Sequence, residues 1–300
     1  MTSELLFPQI SPRVISRSMN RLGKDFGAFF TSDTTDSALI NGDSAKMLAQ
    51  VPDRVFRTCV TSPPYWSLRD YKIDGQIGLE QSLHEYIRRL VAVFEEVRRV
   101  LHDDGTLWLN IGDSYTSGNR TWRAPDKKNP VRAMGTRPPT PDGLKAKDLI
   151  GVPWRLAFAL QEAGWYLRAD IIWNKPNCQP ESVKDRPTRS HEYLFLFSKS
   201  ERYRYDANAF RGPNDRNART VWDINTVALR EAHFATYPPA LVQPCIELST
   251  EPGDLVLDPF VGSGTTAVVA YQLGRRFMGI ELNPEYIQIA ERRLNGAVVR

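Results

Sequence analysis

The sequence predicts a doubly wound α/β fold with a mostly parallel seven-stranded sheet, and three observations carry that expectation. Seven short runs rich in β-branched and apolar residues recur along the 300 residues, mostly separated by stretches with helical spacing. Leu167–Trp173 and Glu192–Ser198 have no helix between them, which predicts an antiparallel end. Two loops follow strands directly, Thr61–Trp66 and Asp258–Thr266, and open α/β sheets bind ligands outside the carboxyl ends of their strands.

Residues 1–37 are rich in Ser, Thr, Arg and Lys with little periodicity, and read as an N-terminal arm or irregular cover. Ala38–Ser44 reads as a strand ending in a Gly-Asp turn, and Ser44–Gln50 as a helical turn. Val55–Val60 is the next strand. Ser82-Leu83-His84-Glu85 has the form of a capping box, and Leu83, Tyr86, Ile87, Leu90, Phe94, Val97 and Leu101 continue it at helical spacing. Arg88, Glu95, Arg98 and Arg99 fall on the other face and read as solvated. Asp103-Asp104-Gly105 reads as the helix end and Thr106–Ile111 as the following strand.

Residues 113–147 form a long basic, proline-rich loop dotted with aromatics. It is either a surface insertion or a nucleic-acid contact, with Arg120, Trp122 and Arg123 as candidates to hold phosphates and to stack. A helix ending at Gly164 precedes the strand Leu167–Trp173, and a polar loop runs from there to Arg189. Residues 199–232 are again basic and aromatic, with Arg211, Arg216 and Arg219. Leu255–Asp258, a helix to Leu273, the strand Phe277–Glu281 and a helix opened by Asn283-Pro284 complete the chain.

Composition is that of a globular protein, 41% hydrophobic and 25% charged. No apolar run approaches the roughly 20 residues of a membrane span, and no signal-peptide core is visible. Lys and Arg number 39 against 35 Asp and Glu, a small excess that hints at a polyanionic partner. Cys59, Cys178 and Cys245 have neither CxxC spacing nor paired histidines, which argues against a zinc site and suits a reducing cytoplasm. Cys59 reads as a buried strand residue.

Chemistry concentrates at the two strand-ending loops. Pro63 and Pro64 have no backbone N–H and fix φ, so the chain leaves its strand as a stiff loop with carbonyls unpaired by a ladder. With the Ser62 hydroxyl and the Tyr65 ring, that corner can accept hydrogen bonds from an amino group while an aromatic face packs on the flat system bearing it. An ordinary proline turn with a core tyrosine fits the same letters. In the second loop Gly262 and Gly264 allow close backbone approach at a helix N-terminus. Glu281, at the end of the next strand, stands where an acidic residue commonly binds ribose hydroxyls. Thr265 occupies the place of the Walker lysine, so the loop is not a P-loop. Asp43, past a strand end, is a ligand or simply a helix cap.

Ser-Pro-Pro-Tyr after a strand, with Asp-Pro-Phe-x-Gly-Ser-Gly-Thr-Thr far downstream, resembles the amino methyltransferases of DNA in their beta arrangement, a Rossmann-like fold with permuted motif order. The Thr-Ser-Pro-Pro-Tyr-Trp form resembles the cytosine-N4 branch; adenine-N6 enzymes more often have Asp or Asn before the prolines. Gly42-Asp43-Ser44, Asn174-Lys175-Pro176 and Ser190-His191-Glu192-Tyr193 extend the likeness over residues 38–295.

The resemblance implies S-adenosylmethionine as cofactor and double-stranded DNA as partner, with a cognate restriction endonuclease acting on the same site. It implies Ser62, Pro63, Pro64 and Tyr65 as the catalytic corner, and Asp43, Asp258, Phe260, Gly262, Gly264, Thr265 and Glu281 as the cofactor site. Phe260, Gly262, Gly264 and Thr265 would enclose the methionine part, Glu281 would meet the ribose and Asp43 the adenine amino group. It further implies a catalytic part at 38–198, a target-recognition region at 199–232 and a cofactor-binding part at 233–300. Adenine-N6 methylation is the nearest alternative, and a DNA-binding module without catalysis a more distant one.

Overall fold

The computed structural model describes residues 14–18, 29–30, 37–117, 138–227 and 237–298. Among these residues nine strands form one sheet: β1 (Val14–Ser18), β2 (Ser37–Asn41), β3 (Phe56–Thr61), β4 (Leu101–Ile111), β5 (Tyr166–Asn174), β6 (His191–Ser198), β7 (Val221–Asp223), β8 (Leu255–Asp258) and β9 (Arg276–Glu281). Their order is β1-β2-β9-β8-β3-β4-β6-β5-β7. Only β6 runs against its neighbours, pairing antiparallel with β4 and β5. The doubly wound, mostly parallel expectation holds, and two strands are added to the seven.

Both extra strands lie in segments that the sequence leaves irregular. β1 pairs parallel with β2 inside the 1–37 arm, and Phe29 of the same arm is buried. The three-residue β7 adds to the edge at β5, too short for a periodicity signal.

Alternate residues of the inner strands feed two cores, as expected for a sheet covered on both faces. Ala38, Ile40, Cys59, Leu107, Leu109, Leu257, Met278 and Ile280 face α1 (Ser44–Leu48), α2 (Leu83–Val100) and α3 (Val152–Glu162). Leu39, Val60, Trp108, Val256 and Phe277 face α4 (Pro239–Ser249), α5 (Thr265–Gln272) and α6 (Pro284–Val298).

Half of the capping box forms: Ser82 accepts from the Glu85 N–H at 3.1 Å, while the Glu85 carboxylate turns to Arg88 at 2.6 Å. The end of α2 differs from expectation. The helix stops at Val100, and β4 begins at once, eleven residues long. Gly105 lies within this strand because a Cβ there would come 2.9 Å from the His102 carbonyl. Arg99 is only partly solvated. Its guanidinium donates to the Leu48 carbonyl at 2.7 Å and the Val51 carbonyl at 2.8 Å, tying the end of α1 to α2.

Candidate active site at the ends of β3 and β8

β3 and β8 are neighbours in the sheet, with Cys59 opposite Leu257. Ser62–Trp66 and Pro259–Gly264 therefore leave from adjacent strands at the point where the chain order reverses, and they face a common cleft of about 1110 Å³. Asp43, Ser62, Pro63, Tyr65, Gly262 and Glu281 all line it.

Asp258 holds the two loops together from below. Only 2% exposed and absent from the cleft lining, it accepts from Thr61 Oγ1 at 2.6 Å, Tyr237 Oη at 2.9 Å and the Phe260 N–H at 3.1 Å. Burial pushes its carboxyl up to about 6, and these hydrogen bonds restrain the rise. Thr266 extends the link by donating to the Val60 carbonyl at 3.2 Å. Asp258 is thus a strut between loops and not a lining group.

Gly264 also stands outside the lining, and a packing demand explains it. Its φ is +86° at the N-cap of α5, and a Cβ would lie 2.7 Å from Ala290 Cβ on α6. Glycine here lets two helices approach. Gly262 differs: its φ is +50°, a Cβ there would meet only the Phe260 carbonyl, at 3.9 Å, and its N–H donates to Glu281 Oε2 at 3.1 Å. Asn283 N–H donates to Glu281 Oε1 at 2.8 Å. Each carboxylate oxygen accepts at more than one position, so capacity for further donors is left. Burial pushes the Glu281 carboxyl up to about 7.

Thr265 lines the cleft, with its hydroxyl taken by Arg293 at 3.1 Å; the same guanidinium holds Ser263 Oγ at 2.9 Å. Phe260 lines it edge-on to Phe94. Asp43 caps α1 through Oδ1, accepting from the Lys46 N–H at 3.0 Å, and still borders the cleft. The cap reading describes it, and its place leaves it beside the cleft.

Across the cleft, one carbonyl of the proline corner is not unpaired as expected. Pro64 accepts from the buried Tyr86 hydroxyl at 2.8 Å. Pro63, lining the cleft, has no hydrogen-bond donor on its carbonyl among the described residues. Trp66 is buried and donates to the Glu80 carbonyl at 3.0 Å, which fixes the loop's exit.

Tyr65 is gripped by residues to which the sequence reading assigned no role. Its hydroxyl donates to Glu192 Oε2 at 2.7 Å, and Lys175 Nζ donates to Glu192 Oε1. Asn110 Nδ2 reaches the same carboxylate at 3.2 Å. Gly112 makes room for the ring, since a Cβ there would lie 2.8 Å from Tyr65 Cε2. Burial first, then the neighbouring Glu192 charge, raises the phenol well above its ordinary range. The available signal was the hairpin itself: pairing β5 with β6 sets Asn174 opposite His191 and brings Lys175 and Glu192 to one end.

The basic candidates fare differently. Arg211 is held by Asn208 and by Asn217 at 2.7 Å; Arg216 and Arg219 are exposed. None of the three lines the cleft. Arg120, Trp122 and Arg123 lie outside the described residues.

An acid at the end of β9, a glycine turn between β8 and α5 and a proline corner after β3 thus meet at one cleft of a Rossmann-like sheet. A family model described as DNA methylase, covering the N6 and N4 enzymes, matches residues 56–292, and the chain belongs to that family. The Type II methyltransferase M.Cfr9I of Citrobacter freundii is 63% identical over 264 residues, 87% of this chain and 88% of that one. M.SmaI of Serratia marcescens is 57% identical over 269 residues, covering 88% and 92%. The solved PvuII DNA methyltransferase, cytosine-N4-specific, shares the fold at TM-score 0.64 and 24% identity, over 87% of this chain and 91% of that one. A putative DNA modification methylase from Thermus thermophilus, solved with S-adenosyl-L-methionine, superposes at TM-score 0.61 and 26% identity, over 87% and 93%. No helix among the described residues is long and apolar enough to cross a membrane.

Proposed function

We propose that this DNA methyltransferase acts on the exocyclic N4 of a cytosine flipped out of duplex DNA, as the modification half of a restriction–modification system. The observation that carries the choice of base is Ser62, a neutral hydroxyl beside the unpartnered Pro63 carbonyl, where an adenine-N6 enzyme more often has Asp or Asn. The Type II names of the relatives support the setting. A cognate endonuclease for the same site belongs to this reading.

The methyl donor is S-adenosylmethionine, the ligand of the Thermus thermophilus neighbour, which supplies an electrophilic methyl group on a sulfonium. The cleft fits it. Glu281 offers acceptor positions for ribose hydroxyls, and Gly262, without a Cβ, borders the cleft. Asp43 keeps Oδ2 for an adenine amino group. Phe260 and Thr265 border the methionine part.

The chain's own residues prepare the nucleophile. Ser62 Oγ and the Pro63 carbonyl accept hydrogen bonds from the cytosine amino group. That draws the nitrogen lone pair out of conjugation with the ring and orients it for in-line displacement. Tyr65, immobilised through Glu192, presents its ring to the flipped base, because the amino nitrogen cannot be attacked inside the stack. Asp258 keeps this corner and the glycine loop in register.

The test is nucleoside mass spectrometry of DNA methylated by the purified protein. N4-methylcytosine is expected. N6-methyladenine alone would move the assignment to the other branch and remove the argument from Ser62.

A further inference from the structure

Resting on the DNA-methylating function above, we propose that the loop between β5 and β6, residues 175–190, is the surface that meets the base pairs beside the target. Gln179 reads a base edge and Lys184 holds a phosphate.

The topology takes the first residues of the expected recognition region, 199–206, away from the cleft, while β7 brings Thr226 and Val227 back to its wall. β6 runs antiparallel and carries the chain away from the cleft, so residue 199 emerges at the opposite end of the sheet. There the Lys199 N–H donates to the Gly105 carbonyl at 3.1 Å, Arg204 N–H to Asp104 at 3.0 Å and Asp206 N–H to Leu248 at 2.8 Å. Five residue steps along β4 separate Ile111, opposite Tyr193, from Thr106, opposite Ser198. At about 3.3 Å per residue that is roughly 17 Å. Residues 199–206 thus lie at the pole of the sheet away from Tyr65.

The 175–190 loop is at the other end. Cys178 through Val183 form a wall of the cleft that holds Ser62 and Tyr65. Though without regular structure, the loop is braced. Glu181 accepts from Arg186 Nη1 at 2.6 Å and from the Arg189 N–H at 3.3 Å. The Arg186 guanidinium lies 3.8 Å from the Tyr115 ring centroid, and Lys147 pairs with Asp185 at 2.7 Å. Asn177 exchanges hydrogen bonds with the Thr226 backbone at 2.8 and 3.0 Å. A pre-ordered loop loses little entropy on binding.

Among the exposed polar side chains that this bracing leaves over, Gln179 and Lys184 are the two long ones. Lys175, Arg186 and Arg189 each face a carboxylate, whereas Lys184 has none among the described residues. Gln179 is exposed at the cleft wall, with no hydrogen-bond partner for its amide among the described residues. A planar amide with a donor and an acceptor suits a base edge, and an unpaired ammonium suits a phosphate.

The experiment compares Gln179→Ala, Lys184→Ala, Arg211→Ala and Arg219→Ala with the unaltered protein. Methylation is measured across duplexes randomised around the target, and binding to one labelled duplex by anisotropy over a salt series. Gln179→Ala should relax preference at one position by about tenfold or more. Lys184→Ala should weaken all sequences alike and lower the salt slope by about 1. The arginine variants should leave site preference unchanged. An unchanged profile in Gln179→Ala, or an unchanged salt slope in Lys184→Ala, overturns the assignment; so does altered preference in the arginine variants. Failure of the N4 function shows separately, in the base that the unaltered protein methylates, and the anisotropy series reads the loop even without turnover.

Discussion

The Tyr65 hydroxyl donates to Glu192 Oε2 at 2.7 Å, across 127 positions of sequence. This joins the proline corner to the start of the antiparallel strand, and Lys175 pairs with the carboxylate from the end of β5. Holding Tyr65 is a task for the hairpin as well as for the proline corner.

Glu192→Ala should therefore lower single-turnover methylation while cofactor binding survives. It also leaves Lys175, 16% exposed, without its counter-charge, so a stability loss of about 1–3 kcal/mol is expected. Glu192→Gln keeps an acceptor for the phenol and should retain more activity. Rapid-quench kinetics and thermal melts on both variants check this, and equal rates in all three proteins would detach Glu192 from Tyr65 positioning.

Ser62→Ala should reduce the chemical step with little change in affinity for cofactor or DNA, since its hydroxyl orients the reacting nitrogen. A variant with an unaltered single-turnover rate removes Ser62 from the mechanism.

Glu281 predicts a pH dependence. Its carboxyl, ordinarily near 4.5, is pushed up to about 7 by burial, so the free folded protein binds more protons than the unfolded chain across that window. Its contribution to stability is present below the window and lost as pH rises through 7. Ribose hydroxyls donate to the ionised form, so cofactor affinity should fall as pH drops from 8 to 6. Calorimetry with S-adenosylhomocysteine should show this slope, and Glu281→Gln should flatten it. Glu281→Ala should weaken binding at pH 8 by about 1–3 kcal/mol.

Gly264→Ala should destabilise the fold by about 2–4 kcal/mol, combining left-handed backbone strain with a clash against Ala290. Ala290→Gly in the same chain opens the space but leaves the strain, so only part of the loss should return. Full recovery of the melting temperature would assign the whole effect to packing.

The carboxyl ends of seven strands, the N-cap of α2, the two loops and their order were legible in the linear chain, because each depends on neighbours a few residues apart, whereas β1, β7, α4 and the start of β4 were not. Ser62–Tyr65 and Gly262–Glu281 were readable on that basis as the two halves of one site. Whatever crosses the fold was settled only by assembly. Asp258 looks like a ligand in its motif, yet its contacts with Thr61, 197 positions away, and Tyr237 make it a strut. Gly264 answers to Ala290 on another helix, and Lys175 meets Glu192 only once β5 and β6 pair. The location of 199–206 likewise follows from strand direction, since an antiparallel β6 delivers the chain to the pole away from the cleft. Local propensity carries no information about which pole a segment reaches; pairing and burial set that distance only in the assembled sheet.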